Sequence, residues 1–329
     1  MSIKCSIVIR CYNEEKYIGK LLSGILQQTE KSLEIIIVDS GSTDATVSIA
    51  SRYPVKVISI NPEDFSFGRS LNLGCSSAEG EYIVIVSAHV YPVYEDWLER
   101  LLEPFNNKRV GLVYGKQRGN EVTKFSEHQV FAQWFPDISN FNQKYPFCNN
   151  ANAAIRKYLW QEFHYDESLT GLEDLEWAKK VMTHDYAIAY ISEAEIVHVH
   201  DESYQSILNR YRREAIAFKK IYPDETLSMF DFFRLVVANI ISDYYHALTN
   251  RVLVKNALSI PMFRFMQFWG TYKGFQQHGV ISKRLRETFY YPRQITGDNR
   301  SFESSPNERS RKSIDYNHLT MEASLDKIH

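Results

Sequence analysis

The chain has 329 residues, enough for one large domain with an appendage or for two domains of ordinary size. Hydrophobic residues make up 44% and charged residues 24%, which excludes a disordered or fibrous protein. The formal net charge of -2 argues against a dedicated duplex nucleic-acid binder and leaves room for a local basic patch over phosphates.

Residues 1–9 carry one Lys and no long apolar run, and so read as a first strand rather than a signal peptide. Four apolar runs rich in β-branched residues, at 6–9, 34–38, 55–60 and 82–86, predict buried strands. Helical periodicity fills about 14–29, 43–52, 68–78 and 94–106. This alternation predicts an α/β fold with a mainly parallel sheet and helices on both faces. Ligands of such sheets bind beyond the carboxyl ends of the strands. Those ends carry Arg10-Cys-Tyr-Asn-Glu-Glu15, Asp39-Ser-Gly-Ser-Thr-Asp44 and Ser87-Ala-His89. A further helix-strand group spans about 153–200 and closes on Ile196-Val-His-Val-His200.

Beyond about residue 225 long aromatic-rich helices are expected, at about 228–250 and 256–278. Arg234, Asn239 and Asp243 interrupt the longest apolar stretch, which falls short of the roughly 18–20 residues a spanning helix needs. The helices read either as a subdomain packed on the sheet or as a surface that sits on lipid. After Pro292 the chain turns polar, as a flexible tail does. The expected division is 1–225, a helical extension over 226–291, and a tail over 292–329. Cys5, Cys11, Cys75 and Cys148 have neither CxxC spacing nor scaffold density, and read as reduced thiols of a cytoplasmic protein.

Taken alone, Asp39–Asp44 is a strand-turn-helix cap in which Gly41 permits a tight turn. With Tyr12-Asn-Glu-Glu15 on the neighbouring strand end, it offers more: an aromatic face for a base, and the carboxylates Glu14 and Asp39 as acceptors for base N–H and ribose hydroxyls. The order Ser6-Ile-Val-Ile-Arg-Cys-Tyr-Asn-Glu-Glu15 followed by Ile35-Ile-Ile-Val-Asp-Ser-Gly-Ser-Thr-Asp44 resembles the opening of the family 2 inverting glycosyltransferases. The resemblance covers about residues 3–225. It implies the glycosyltransferase A fold, with Tyr12, Glu14 and Asp39 holding the nucleoside of a nucleotide-sugar donor. Rhamnosyltransferase-like members share the Arg-x-Tyr-Asn-Glu-Glu opening, which points toward a deoxyhexose donor, a UDP- or dTDP-sugar.

The same resemblance places Arg69 and Asn72 at a helix start under the donor, where a guanidinium grips a diphosphate through paired hydrogen bonds. Family members usually carry an Asp-x-Asp triad for Mn²⁺ or Mg²⁺ after the fourth strand. This chain has Ser87-Ala88-His89 instead, so metal dependence is open. Ser87 joins the donor-holding set. Related N-acetylgalactosaminyltransferases use a His in the position of His89 as a metal ligand, and imidazole suits Mn²⁺ or Zn²⁺ better than Mg²⁺. His198 and His200, two apart on a strand, point to one face. A metal held by His89, His198 and His200, a metal-free site and a purely structural His89 all remain open.

Gly171-Leu-Glu-Asp-Leu-Glu176 opens a helix, where acidic residues ordinarily serve the macrodipole. By the family order, however, Asp174 is the general base and Glu173 its neighbour or an acceptor-binding group. The reading that follows is an inverting transfer of sugar to a hydroxyl of a cell-surface glycan or lipid-linked acceptor, with peripheral contact at the inner membrane face through 228–278. A sugar-nucleotide pyrophosphorylase is the weaker rival, because 10–15 holds no Gly-rich loop. A non-catalytic nucleotide-sugar sensor or membrane scaffold is the other, motivated by the missing Asp-x-Asp and opposed by Glu173-Asp174.

Overall fold

The computed structural model describes residues 3–277 and 311–316. The predicted strands appear as β1 (Cys5–Cys11), β2 (Leu33–Asp39), β3 (Lys56–Ser59) and β4 (Tyr82–Ser87). The helices between them are α1 (Ile18–Leu26), α2 (Thr46–Ala50), α3 (Phe67–Ser76) and, after β5 (Val90–Pro92), α4 (Trp97–Leu102). The chain continues through β6 (Val110–Arg118), α5 (Phe125–Trp134), β7 (Asn152–Arg156), α6 (Lys157–Glu162), α7 (Glu173–Thr183) and β8 (Ala187–His198).

All eight strands form one sheet in the order β3-β2-β1-β4-β7-β6-β8-β5. The first four are parallel to one another, β7 runs antiparallel to both β4 and β6, β8 is parallel to β6, and β5 is antiparallel to β8. The sheet is therefore mixed in its second half. Because β7 runs backwards, the carboxyl ends of β6 and β8 return to the edge that carries those of β1, β2 and β4. That edge collects Cys11, Asp39, Ser87, Gln117 and His198, with the start of β7 at Asn152 between them.

Alternation divides β1 between two cores. Cys5, Ile7, Ile9 and Cys11 pack with α1 and α4 through Leu21, Leu22, Ile25, Trp97 and Leu98. Val8 packs on the other face with Leu71 of α3 and Trp177, Ala178 and Val181 of α7. Arg10 shares that second face and ends it with a charge.

The aromatic-rich stretch forms α9 (Met229–Thr249), the short α10 (Leu253–Asn256) and α11 (Ser259–Phe275), which follow α8 (Tyr204–Ile221). Ser228 and Asp231 cap α9 reciprocally. Helix α11 lies close on α8, since a side chain at Gly274 would stand 2.6 Å from the Arg212 carbonyl. Asp243, one of the residues that interrupt the apolar stretch, is buried and accepts two hydrogen bonds from Arg264, both at 2.7 Å. No helix among the described residues is long and apolar enough to cross a membrane.

The expectation of a flexible tail over 292–329 fails at 311–316. Arg311 pairs with Asp96, Ile314 N–H donates to the Val93 carbonyl at 3.0 Å, and the Tyr316 hydroxyl donates to the Pro92 carbonyl at 2.7 Å. Tyr316 and Tyr91 hold the Lys20 ammonium between them, 4.8 Å and 3.6 Å from their ring centres. Local polarity hid this segment because its apolar contacts rest on only two residues, Ile314 and Tyr316. The remainder of that stretch, and positions 278–291 of the expected extension, lie outside the described residues.

Candidate active site

The two opening motifs are stitched to each other by their own polar atoms. Asn13, at φ 55° in the left-handed region, accepts from Thr43 N–H at 2.8 Å and donates its own N–H to Ser42 Oγ at 2.9 Å. Glu14 N–H donates to Thr46 Oγ1 at 2.6 Å. Asp39 accepts from the N–H groups of Gly41 and Ser42, both at 3.1 Å, and this turn requires Gly41 at φ +88°. Tyr12, Asp39 and Ser87 thus stand on three adjacent strand ends, with Cys11 in register with Asp39 and Arg10 with Ser87.

Arg69 is exposed on the first turn of α3, its N–H capped by Ser66 Oγ at 3.1 Å. Asn72 turns away from the edge. Its amide binds the Tyr165 carbonyl and Glu167, and its oxygen accepts from Trp160 Nε1 at 3.1 Å, so it ties α3 to the loop before α7.

Glu14 does not point to open space, because its Oε1 lies 2.7 Å from His89 Nδ1. His198 Nδ1 meets Gln117 Oε1 and His200 Nδ1 meets Glu127 Oε1, both at 2.8 Å. One ring nitrogen from each of His89, His198 and His200 lies within 4.8 Å of the others, and the Nε2 atoms of His198 and His200 are 3.2 Å apart. An acceptor on each Nδ1 fixes the neutral tautomer that leaves a lone pair on Nε2, the orientation in which a histidine binds a cation. Ligands about 2.1 Å from one metal at tetrahedral to octahedral angles stand roughly 3.0–3.4 Å apart, so the His198–His200 spacing suits a borderline transition metal, with His89 close enough to join them.

Electrostatics around the three rings are uneven. Burial pushes the His198 titration well down, helped by His200, His89 and Arg210, so this ring stays neutral. Burial also opposes charge on His89, but the Glu14 carboxylate outweighs it and raises this ring. Glu127 is buried, yet the Arg210 charge together with hydrogen bonds from His200 and Arg210 overcomes its burial and holds it down at about 2. Arg210 in turn bridges Glu127 at 2.9 Å and Glu202 at 2.8 Å.

On the other side of the edge, Leu172 takes a left-handed conformation at φ 55° and starts α7. The turn delivers Glu173 to Arg10, whose Nη1 donates at 3.0 Å across 163 residues of sequence. Asp174 accepts from Asn150 N–H at 3.0 Å and from Leu175 N–H at 2.8 Å. Burial raises Asp174, Glu173 raises it further, and together they outweigh the two N–H groups and Arg10 to place it at about 7. A carboxyl that releases its proton near neutrality is poised for general base work.

Gln117, Glu127 and Arg210 escaped the sequence reading, as did any role for Arg10. Glu127 sits on α5, where Phe125, Val130, Phe131 and Trp134 make no clean stripe, and Gln117 looks like an ordinary strand residue. Their signal was indirect: a neutral His pair at one strand end requires Nδ1 acceptors from some other element.

Residues 6–163 match the model of the family described as Glycosyl transferase family 2. The chain is 30% identical over 196 residues to the O-antigen chain rhamnosyltransferase WbaN of Salmonella anatum, covering 56% of this chain and 62% of that protein. It is 25% identical to the O-antigen chain rhamnosyltransferase RfbN of Salmonella typhimurium, covering 64% of this chain and 70% of that protein. The match to WbaN thus spans less than two thirds of that relative's length. Among solved structures, the mannosyltransferase PcManGT from Pyrobaculum calidifontis, in complex with GDP-Man and Mn²⁺, superposes with a TM-score of 0.58 at 19% identity, covering 84% of this chain and 85% of that one. The fold is that of the glycosyltransferase A enzymes, and residues 6–163, a little under half of the chain, are similar to the family 2 glycosyltransferases.

Proposed function

We propose that the protein is an inverting glycosyltransferase that moves a sugar from a nucleotide-sugar donor to a glycan or lipid-linked hydroxyl, with Asp174 as general base. The contact between Arg10 and Glu173 carries this reading, because it brings the acidic start of α7 to the strand ends that hold both opening motifs. Tyr12 and Asp39 hold the nucleoside, with Ser87 and Arg69 toward the diphosphate. Glu14, assigned to the nucleoside from sequence, acts here through His89. His89, His198 and His200 would hold a divalent cation, which when bound would neutralise charge that builds on the leaving phosphate.

In the reaction, the acceptor oxygen forms a bond to the anomeric carbon as the bond from that carbon to the phosphate oxygen breaks on the opposite face. The nucleoside diphosphate leaves with the electron pair, and the acceptor proton passes to Asp174. The O-antigen rhamnosyltransferases among the relatives favour a deoxyhexose donor. A thermal-shift screen of UDP-, dTDP- and GDP-sugars, with and without Mn²⁺, tests this: the true donor raises the melting temperature, and Arg69→Ala weakens its binding about tenfold or more by removing a charge-assisted contact. A panel that shifts nothing counts against the reading.

The helical region supports a peripheral membrane location at the inner face. Phe230, Phe233, Val237, Ile241, Tyr245 and Leu248 recur at helical spacing along α9, each more than half exposed, and Val254 and Leu258 extend the apolar surface. Arg251 and Lys255 flank it, which suits an anionic lipid surface. Ile241→Asp should release the protein from anionic liposomes in a sedimentation assay. Wild-type protein that ignores such liposomes contradicts the membrane location.

A further inference from the structure

Strands covered by helices on both faces carry apolar side chains on both. On the face of β1 that meets α3 and α7 the sequence runs Ser6, Val8, then Arg10, a charge where desolvation is costly. Arg10 is largely buried and Glu173 almost fully so. The guanidinium also lies 4.9 Å from the ring centre of Phe67, whose ring meets Arg213 at 4.6 Å. Arg10 Nη1 donates to Glu173 at 3.0 Å and, more weakly, to the Phe67 carbonyl at 3.5 Å, so its one acidic hydrogen-bond partner among the described residues is Glu173, while the adjacent carboxyl, Asp174, has only N–H donors from Asn150 and Leu175.

Two neighbouring carboxyls in a poorly hydrated site compete for one proton, because both are costly to charge at once. Whichever has the cation keeps its charge. We infer that Arg10 is a positioning residue that selects the base: by pairing with Glu173 it directs the proton taken from the acceptor to Asp174. This rests on the reading of Asp174 as the general base. The other titratable groups facing the pair do not make that choice. Burial, reinforced by the two carboxyls, pushes Cys148 and Tyr165 up, so both stay neutral at working pH. Arg213, from α8, faces Gly171 and the Phe67 ring. Cys75 is likewise raised by burial and neutral.

The test is the pH profile of nucleoside-diphosphate release from the nucleotide sugar that stabilises the protein most, measured for wild type, Arg10→Lys, Arg10→Met, Glu173→Gln and the double variant Arg10→Met/Glu173→Gln. Wild-type kcat/KM should rise with pH through about 7, and Arg10→Lys should keep that limb. Arg10→Met should move the limb up by about one unit and lower kcat about tenfold or more, because the proton now divides between two carboxyls. The double variant should shift the limb below wild type and regain most of the lost kcat, because the charge that raised Asp174 is gone. Unlike Arg10→Met it leaves no Glu173 carboxylate stripped of its cation, so it folds even where Arg10→Met does not. A mere tie between β1 and α7 predicts a lower melting temperature with an unmoved limb in every folded variant, and that result overturns the inference. Asp174→Asn run in parallel separates the two ideas. Wild-type turnover in it removes the base itself, whereas lost turnover with unmoved limbs in the other variants leaves the base and removes the role of Arg10.

Discussion

Asp174→Asn should cut sugar transfer by roughly 10²–10⁴-fold while leaving donor binding nearly intact. The amide keeps the shape and can still accept from Asn150 N–H, but it cannot take a proton from the attacking hydroxyl. Stability should move in the opposite direction. A carboxyl raised to about 7 in the folded protein holds a proton that the unfolded chain has lost, so its contribution is present below the unfolded value and disappears as pH rises through 7. Wild type should therefore lose stability between about pH 4 and 7 from this group, and Asp174→Asn should melt at or above wild type at pH 8. A role at the helix start alone predicts lower melting and unchanged turnover. Glu173→Gln should be milder in rate, because Glu173 acts through its neighbour.

Glu127→Ala should weaken divalent-cation binding by about 10–100-fold, the usual cost of removing the partner that orients a histidine ligand. It should also destabilise the protein by about 3–5 kcal/mol, because Arg210 is left buried with Glu202 as its remaining acidic partner. Glu127→Gln separates the two effects: it still accepts from His200 Nδ1 but no longer balances Arg210. The pH dependence follows from its depressed titration. Glu127 contributes stability that is full above the unfolded value and lost as pH falls through about 2, so wild type should weaken over the acid range below about 4.5 and the Gln variant should not show that component. Calorimetric titration with Mn²⁺ and Zn²⁺, together with melting curves from pH 2 to 7, checks both halves.

The strand ends were legible because β-branched runs and the polar residues after them lie next to each other in sequence. Asp39, Tyr12 and Ser87 could be placed on one edge from parallel order alone. The second half of the sheet was less readable, since β7 is only five residues long, β6 is buried at its apolar start without alternation, and antiparallel β7 reverses which end faces the ligand. Asp174 was singled out in the sequence only by its order after Asn149–Arg156. Nothing local distinguishes it from a helix-start acid, and its raised titration depends on burial and Glu173. Glu14 was read as a nucleoside acceptor because no sequence pattern shows that His89 stands 2.7 Å from it. Arg10, Glu127 and Arg210 meet partners at separations of 163, 73 and 83 residues, beyond the reach of any periodicity.

The most direct test of a single displacement is the configuration of the first sugar released. Proton NMR can follow wild-type protein with its donor and water as acceptor, before mutarotation mixes the anomers. The account predicts that the first-formed sugar has the anomeric configuration opposite to the donor, and that its appearance is lost in Asp174→Asn. A first-formed sugar with the donor's own configuration, or equal release by the variant, would contradict it.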